Sequence, residues 1–478
     1  MKKINFLLTL IIIVNIILRL PSLFDPVSYG DECIYLVLGQ AFNKGLVFYR
    51  DIHDNKPPLL YLMAALANGN LFWLRLITIV WNSFNIWLIY KVAKKLLKTE
   101  IAGLIAAFLF VIFALLPEGR IANGEIYMIM PATLGLLLTL IAYKKSYLWF
   151  LGGIAFSIAF LFKIPIAFDF VGLLIAIFLF PKKNLRDVFT IIKDKKIYLI
   201  LAGFILPIFL SIIYYSLKGA FTPYVRSALM QNIGYLASWS GSKTGLYERS
   251  GILLLVTIIL YLWRKQLGFS FYLAGLMTFF GLFGAFLSER PYPHYLIEFV
   301  PWLVLLLTVL LWQRKISQLV VTILLIILIT LGVSQYKFWW YPNIPYYQNF
   351  LKFITGRINK NDYFRFFGDK VNNDYQLAKL IKQAVPADNR VFIWGDGVCI
   401  YALAQRLPPG RYTVNYHIFD FNGFEETIKT IKEKQPPVII KLNSGKQSFP
   451  QLETILKTYY VSAQTVGDGK IYRQIVKF

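Results

Sequence analysis

Apolar runs long enough to cross a lipid bilayer recur along the first 336 residues of the chain. A membrane-spanning helix needs about 20 predominantly apolar residues, with a range of about 17–25. We place eleven such spans near residues 4–20, 71–90, 100–116, 125–143, 148–163, 164–180, 197–216, 249–264, 268–287, 294–312 and 316–336. The sequence therefore predicts a polytopic α-helical membrane protein.

The composition excludes several other classes. Hydrophobic residues make up 57% of the chain and charged residues 16%, with a net charge of +25. A soluble globular domain is only about 45–50% apolar, so we expect much of this chain to lie in lipid. The positive charge therefore does not indicate a nucleic-acid-binding protein, and we expect no nucleic acid partner. Cys33 and Cys399 are too few for a disulfide scaffold or a Cys-rich zinc site. At most one disulfide could form, and we expect the two cysteines to be unlinked.

Basic residues indicate how the chain is oriented in the membrane. With eleven spans, the cytoplasmic segments of residues 1–336 hold 18 Lys and Arg against three acids, and the rest of that region holds 12 against 11. Lys and Arg are enriched in cytoplasmic loops. An odd number of spans then places residues 337–478 outside. We expect an integral protein, favour a bacterial cytoplasmic membrane, and place both the active site and the C-terminal domain on the extracytoplasmic side.

The chain divides into two parts of different character. Residues 1–336 form the predicted multi-span domain, which includes a long outer loop over residues 21–70, and residues 337–478 read as a soluble α/β domain. In the second part, two buried strands are predicted at residues 390–395 and 438–442. Helical apolar spacing occurs near residues 374–384, 424–434 and 449–458.

The outer loop carries most of the polar residues that suggest chemistry. Asp31 and Glu32 stand at the start of a predicted short helix, where the helix dipole favours acids. Lys56 opens a Lys-Pro-Pro-Leu segment that closes the loop, and Arg50 is a further basic candidate. The alternative interpretation is structural, because acids are common at helix starts.

A second group of polar residues lies before the tenth predicted span. Arg290, His294 and Tyr295 offer several donors suited to an anionic phosphate. Their alternative interpretation is an interfacial aromatic belt with an arginine that faces lipid headgroups. Glu125 and Lys163, at the ends of two spans, are secondary candidates for an acid and a phosphate ligand.

These motifs together resemble those of the GT-C type glycosyltransferases. The similarity is to the branch that contains the dolichyl-phosphate-mannose protein mannosyltransferases and the bacterial aminoarabinose transferases. It rests on the acidic pair Asp31-Glu32, the segment Lys56 to Leu59, and the series Arg290, His294, Tyr295 and Pro301. The resemblance covers most of residues 1–336 and implies a GT-C fold of about eleven transmembrane helices with a C-terminal soluble α/β domain.

The resemblance implies an inverting transfer of a hexose or pentose from a polyprenyl-phosphate-linked donor to an acceptor hydroxyl at the outer face of the membrane. Asp31 would be the general base and Glu32 an orienting or charge-balancing partner. Lys56, Arg290, His294 and Tyr295 would bind the donor phosphate. The acceptor class stays open between a lipid, a polysaccharide and a protein. Membrane lipid is a further expected partner.

The three histidines are scattered along the sequence, and no residues are assigned to a metal. A divalent cation between acids is a candidate cofactor, because related oligosaccharyltransferases use one. Cationic side chains could supply the same electrostatic stabilisation.

Two other function classes are compatible with the spans. One is a flippase or transporter of lipid-linked glycans, which would place charged residues or broken helices near the middle of the membrane. The other is a glycan polymerase or ligase that uses polyprenyl-linked donors. The candidate site residues lie at the outer boundary of the membrane, and no internal repeat is apparent. Both observations favour a glycosyltransferase over a transporter.

Overall fold

The fold is taken from a computed structural model that describes residues 2–142, 145–182, 190–234, 244–444 and 448–476. Lys144, Lys183 and Arg186, which belong to the predicted cytoplasmic clusters, lie outside these ranges. The chain divides into two compact units. Unit 1 comprises residues 1–20, 75–214 and 229–341, and unit 2 comprises residues 21–74, 215–228 and 342–478. The predicted outer loop, residues 21–70, thus belongs to the same compact unit as residues 342–478.

Apolar helices dominate the first 336 residues. Six described helices are long and apolar enough to cross a membrane, and they are α1 (Lys2–Arg19), α4 (Leu71–Leu97), α6 (Gly124–Ile141), α9 (Lys195–Leu217), α12 (Thr244–Leu267) and α15 (Ile316–Gln335). Five shorter apolar helices are α5 (Glu100–Phe113), α7 (Tyr147–Phe162), α8 (Ile166–Leu179), α13 (Phe269–Ala285) and α14 (Val300–Gln313). The polytopic α-helical architecture is confirmed, and the number of eleven spans stays a prediction.

Small residues allow close helix packing in unit 1. A Cβ atom at Gly153 of α7 would lie 2.0 Å from the carbonyl oxygen of Ile200 on α9, and one at Gly203 would lie 2.0 Å from the carbonyl oxygen of Phe150. Only glycine fits where two helix backbones approach this closely. Such small-residue contacts are typical of membrane helices, because lipid gives little hydrophobic drive for their association.

Unit 2 contains the predicted α/β domain. Its four strands are β1 (Val391–Trp394), β2 (Val438–Leu442), β3 (Tyr460–Val466) and β4 (Gly469–Gln474), in the order β1-β2-β4-β3. β1 and β2 are parallel, with Val391 opposite Val438, and the other two pairs are antiparallel. Trp394 and Ile439 lie in the apolar core beneath the sheet. Both strands predicted from the sequence are present.

The remaining helices of the chain are short. They are α2 (Gly30–Asn43), α3 (Leu59–Leu66), α10 (Phe221–Tyr224), α11 (Gln231–Gly234), α16 (Asn343–Ile354), α17 (Lys360–Arg365), α18 (Val371–Ala384), α19 (Val398–Ala404), α20 (Asn415–Asp420), α21 (Phe424–Lys434) and α22 (Pro450–Tyr459). Short 3-10 helices cover Leu20–Phe24 and Pro293–Ile297, and Val225–Met230 is a π-helix.

A disulfide joins the outer loop to the C-terminal residues. Cys33 on α2 is bonded to Cys399 on α19, and both side chains are buried. The expectation of two unlinked cysteines is therefore wrong. Two cysteines so far apart in sequence carry no spacing signal, because only the packing of α2 against α19 brings them within bonding distance.

Candidate active site

Helix α2 begins with the acidic pair. The residue before it, Tyr29, has an extended backbone, and Asp31 and Glu32 occupy the first turn. Their charges complement the positive end of the helix dipole. The two acids differ in environment, since the Glu32 residue is 1% exposed and the Asp31 side chain is 32% exposed. Asp31 is thus the acid of this pair that solvent, or a substrate, can reach.

Two buried tyrosines hold the segment that carries Lys56. The hydroxyl of Tyr61 on α3 accepts a hydrogen bond from the Lys56 N–H (2.8 Å) and donates to Asp54 (2.8 Å). The Tyr49 hydroxyl donates to the Lys56 carbonyl oxygen (2.8 Å). Burial, more than the nearby Asp54, raises the pKa of Tyr61 well above its usual value, so its hydroxyl stays a donor. The Lys56 backbone is therefore fixed before any ligand binds.

The Lys56 ammonium lies between two carboxylates. Its Nζ is 3.5 Å from Oδ2 of Asp31 and 3.9 Å from Oδ2 of Asp54. The Tyr35 hydroxyl donates to the same Asp31 oxygen at 3.2 Å, and the Tyr35 ring centre is 5.1 Å from the Lys56 Nζ. The structure thus brings together the two outer-loop residues that the sequence assigns to base and phosphate binding.

Two buried histidines extend this cluster. Nε2 of His417, on α20, is 3.7 Å from Oδ1 of Asp54, and the rings of His53 and His417 lie 4.7 Å apart. Burial, followed by the Lys56 charge, lowers the pKa of His417 to about 3. Burial and then His417 lower the pKa of His53 well below its usual value. Both rings are therefore neutral near pH 7.

Arg50 has other partners. Its guanidinium donates to both carboxylate oxygens of Asp51, at 2.7 and 2.8 Å, and to the Lys218 carbonyl oxygen at 2.6 Å. The hydrogen bonds from Arg50 lower the pKa of Asp51. This pair is part of the outer surface of the loop, and Arg50 stays a secondary candidate.

The secondary candidates of unit 1 are paired with each other. Lys163, at the C-terminal end of α7, forms an ion pair with Glu125 in the first turn of α6. The Lys163 Nζ also lies 4.1 Å from the ring centre of Tyr295. Side-chain exposure is 15% for Lys163 and 2% for Glu125. The structure therefore places Tyr295, a predicted phosphate ligand, beside the ammonium of Lys163.

His294 is engaged with an acid. Its Nδ1 lies 3.0 Å from Oε2 of Glu118, and both side chains are buried. The Tyr292 ring stacks on the His294 ring at 5.7 Å. Arg290 is half-buried in the same segment. The sequence-predicted residues of this segment thus lie in a polar region of unit 1, whereas Asp31 and Lys56 belong to unit 2.

A buried pair of acids was not predicted. Asp169 on α8 accepts a hydrogen bond from the Trp302 indole and interacts with Glu298. Both acids are at most 2% exposed. A Cβ atom at Gly284 would lie 2.2 Å from Oε1 of Glu298, so a glycine is needed beside this carboxyl. The sequence signal that could have identified Asp169 is its position inside a predicted span, since acids are rare in membrane helices.

Among the residues that the structure describes, no three His, Cys, Asp or Glu side chains converge in a way that could hold a metal ion. Beside Asp31, the neighbouring positive charge is the ammonium of Lys56.

Comparisons with known proteins agree with the architecture. Residues 56–215 match the family model "Dolichyl-phosphate-mannose-protein mannosyltransferase". No curated protein sequence is significantly similar to the chain. The crystal structure of ArnT from Cupriavidus metallidurans bound to undecaprenyl phosphate has a TM-score of 0.60 at 11% identity, over 98% of both chains. Its apo form has a TM-score of 0.57 at 10% identity, over 98% of this chain and 97% of that chain. The chain thus shares the fold of ArnT over nearly its whole length, and the match of residues 56–215 to the mannosyltransferase family model agrees with the resemblance seen in the motifs.

Proposed function

We propose that this protein transfers a sugar from a polyprenyl-phosphate-linked donor to an acceptor hydroxyl at the outer face of the membrane, with inversion at the anomeric carbon. The observation that carries the proposal is the pairing of accessible Asp31 with Lys56 at 3.5 Å. A base and a cation side by side suit a reaction in which an acceptor loses a proton while a phosphate leaves. The similar ArnT structure is bound to undecaprenyl phosphate, which supports a polyprenyl carrier.

In this reaction Asp31 accepts the proton of the acceptor hydroxyl. The acceptor oxygen forms a bond to the anomeric carbon as the bond from that carbon to the phosphate oxygen breaks. The electron pair of the broken bond stays on the phosphate, and the products are the glycosylated acceptor, the polyprenyl phosphate and a protonated Asp31. Attack opposite to the leaving group inverts the configuration at the anomeric carbon.

Lys56 stabilises the negative charge on the departing phosphate, and its backbone is already fixed by Tyr49 and Tyr61. Preorganised charge of this kind needs no rearrangement during the reaction. For Arg290, His294 and Tyr295 of unit 1, a role in binding the donor phosphate is proposed from the family motif alone. Glu32, which is fully buried, balances charge at the start of α2 rather than contacting substrate.

The disulfide supports an outer location for this site. Disulfides persist in oxidising compartments and are rare in the cytoplasm. Cys33 is two residues from Asp31, and Cys399 belongs to the C-terminal domain, so both would face the same compartment. The excess of basic residues in the opposite loops favours the same orientation.

The test uses the purified full-length protein in lipid nanodiscs with a radiolabelled polyprenyl-phosphate sugar. Asp31→Asn should abolish transfer while donor binding is kept. Lys56→Ala and Arg290→Ala should raise the KM for the donor about 10- to 100-fold, because each loses a charge-assisted hydrogen bond of about 1.5–3 kcal/mol. Asp51→Asn is the matched control, since it makes the same change in the same loop.

Full activity of Asp31→Asn would contradict the assignment of the base. The competing transport function has its own readout in liposomes. Movement of the lipid-linked sugar across the bilayer without any transfer would establish a flippase instead.

A further inference from the structure

The C-terminal domain, residues 342–478 of unit 2, holds the outer loop at several points. The Tyr375 hydroxyl accepts a hydrogen bond from the Val27 N–H, and Gln40 donates to the Ala402 carbonyl oxygen. The His53 N–H donates to the Arg411 carbonyl oxygen at 2.8 Å. Together with the disulfide, these contacts tie the loop to the domain both before and after Asp31. The domain is therefore placed to influence the geometry of the loop's charged residues.

The key intermediary is Asp54. Its side chain is 1% exposed, and it receives a hydrogen bond from Tyr61 at 2.8 Å. It also lies 3.9 Å from the Lys56 ammonium, which in turn is 3.5 Å from Asp31. A buried carboxylate needs donors on its oxygens, because water does not reach it. Asp54 therefore depends on the donors around it to keep its place.

His417 is the group of the C-terminal domain that faces Asp54. Its side chain is 1% exposed, and its Nε2 lies 3.7 Å from Oδ1 of Asp54. Among the described residues, its Nδ1 has no hydrogen-bond partner. We therefore assign the ring proton to Nε2, because a buried N–H without an acceptor would cost more than a buried lone pair. A neutral imidazole can donate to Asp54 without adding a second positive charge beside Lys56.

We propose that His417 is a positioning residue for glycosyl transfer, which holds Asp54 through its Nε2–H and thereby keeps the Lys56 ammonium where the donor phosphate binds. This inference rests on the proposed function and gives the C-terminal domain a role in it. The distance of 3.7 Å is longer than a direct hydrogen bond, so the Nε2–H acts on the Asp54 carboxylate as a nearby dipole that attracts its negative charge.

The first experiment separates positioning from folding by kinetics. His417→Phe keeps a buried ring but has no donor, and His417→Gln restores a neutral N–H. Tyr416→Phe, on the same helix and more exposed, is the matched control. His417→Phe should raise the KM for the donor about tenfold and leave the KM for the acceptor unchanged, and His417→Gln should stay within threefold of the wild type. A lower kcat with both KM values unchanged would overturn the proposal, since it indicates only a smaller folded fraction.

The second experiment does not depend on activity. Acetylation of individual lysines by acetic anhydride, measured by mass spectrometry on the full chain, should label Lys56 several-fold faster in His417→Phe than in the wild type or His417→Gln. Lys370, which pairs with Asp396, is the internal reference. Equal labelling of Lys56 in all three proteins would overturn the positioning role. If the wild type transfers no sugar, the proposed function fails, while this comparison still decides whether His417 positions Lys56.

Discussion

Burial of His417 should make the stability of unit 2 depend on pH. Burial, with the Lys56 charge, lowers the pKa of this imidazole to about 3, against an ordinary value of about 6.5. Below pH 6.5 the unfolded chain takes up a proton that the folded chain does not, so this contribution to stability falls as the pH falls. At 1.36 kcal/mol per pH unit, the loss at pH 4.5 is about 2.7 kcal/mol.

Neighbouring groups set the background for this measurement. The charged or titratable side chains near His417 or its neighbour His53 are Asp31, Asp54, Lys56, Arg226 and Arg411. His53 changes the stability with pH in the same direction as His417, because its pKa is also lowered by burial. Asp374 changes the stability in the opposite direction. Burial raises its pKa to about 7, so between its unfolded pKa and pH 7 the folded carboxyl keeps a proton that the unfolded one loses, and this contribution to stability rises as the pH falls. The difference between wild type and His417→Gln isolates one imidazole.

The assay is thermal unfolding of the full chain in nanodiscs between pH 4.5 and pH 7.5. For a domain of about 150–250 residues, 1 kcal/mol shifts Tm by about 2–4 °C. The wild type should therefore lose about 5–10 °C more than His417→Gln on going from pH 7 to pH 4.5. Parallel Tm curves for the two proteins would refute the inference that the folded imidazole stays neutral.

Three further predictions follow from the packing of unit 2. Replacing Cys33 and Cys399 by serine should lower Tm by several degrees, because a native disulfide typically contributes about 2–4 kcal/mol, and an unchanged Tm would mean that the link is dispensable. Gly39→Ala should cost about 1–3 kcal/mol in thermal unfolding, since its Cβ would lie 2.6 Å from backbone of α3, whereas Gly30→Ala, with nothing within 4 Å, should be neutral. Asp374→Asn should stabilise the protein more at pH 7.5 than at pH 5, because the unfolded carboxyl is ionised at both pH values while the buried one resists ionisation, and that cost grows as the pH rises. The same gain in Tm at both pH values would contradict the raised pKa.

Local sequence patterns predicted much of the fold. Runs of apolar residues predict helices in lipid because the backbone must satisfy its hydrogen bonds within one segment. The strands at Val391–Trp394 and Val438–Leu442 were also predictable, because a short run rich in β-branched and aromatic residues and bounded by turn residues favours a strand. Helix α2 was predicted as a short helix that begins at Asp31 and Glu32, and the structure has it at Gly30–Asn43. In the structure, Leu36, Val37 and Gln40 are all buried.

The candidate site was predictable only in part. Asp31 and Lys56 were identified because they stand among several polar residues in the loop of residues 21–70 and match a family motif. Asp54 and His417 were not, since a buried acid and a lone histidine carry no distinguishing spacing. Their proximity depends on α20 packing against the loop.

The sequence by itself determined the solvent of each segment and the chemical groups available, because hydropathy and charge are properties of single residues and short runs. Tertiary structure alone decided that Cys33 bonds to Cys399, that Lys56 lies between Asp31 and Asp54, and that His417 is neutral. Each of these depends on distance and burial between residues far apart in the chain, and no local pattern encodes such distances.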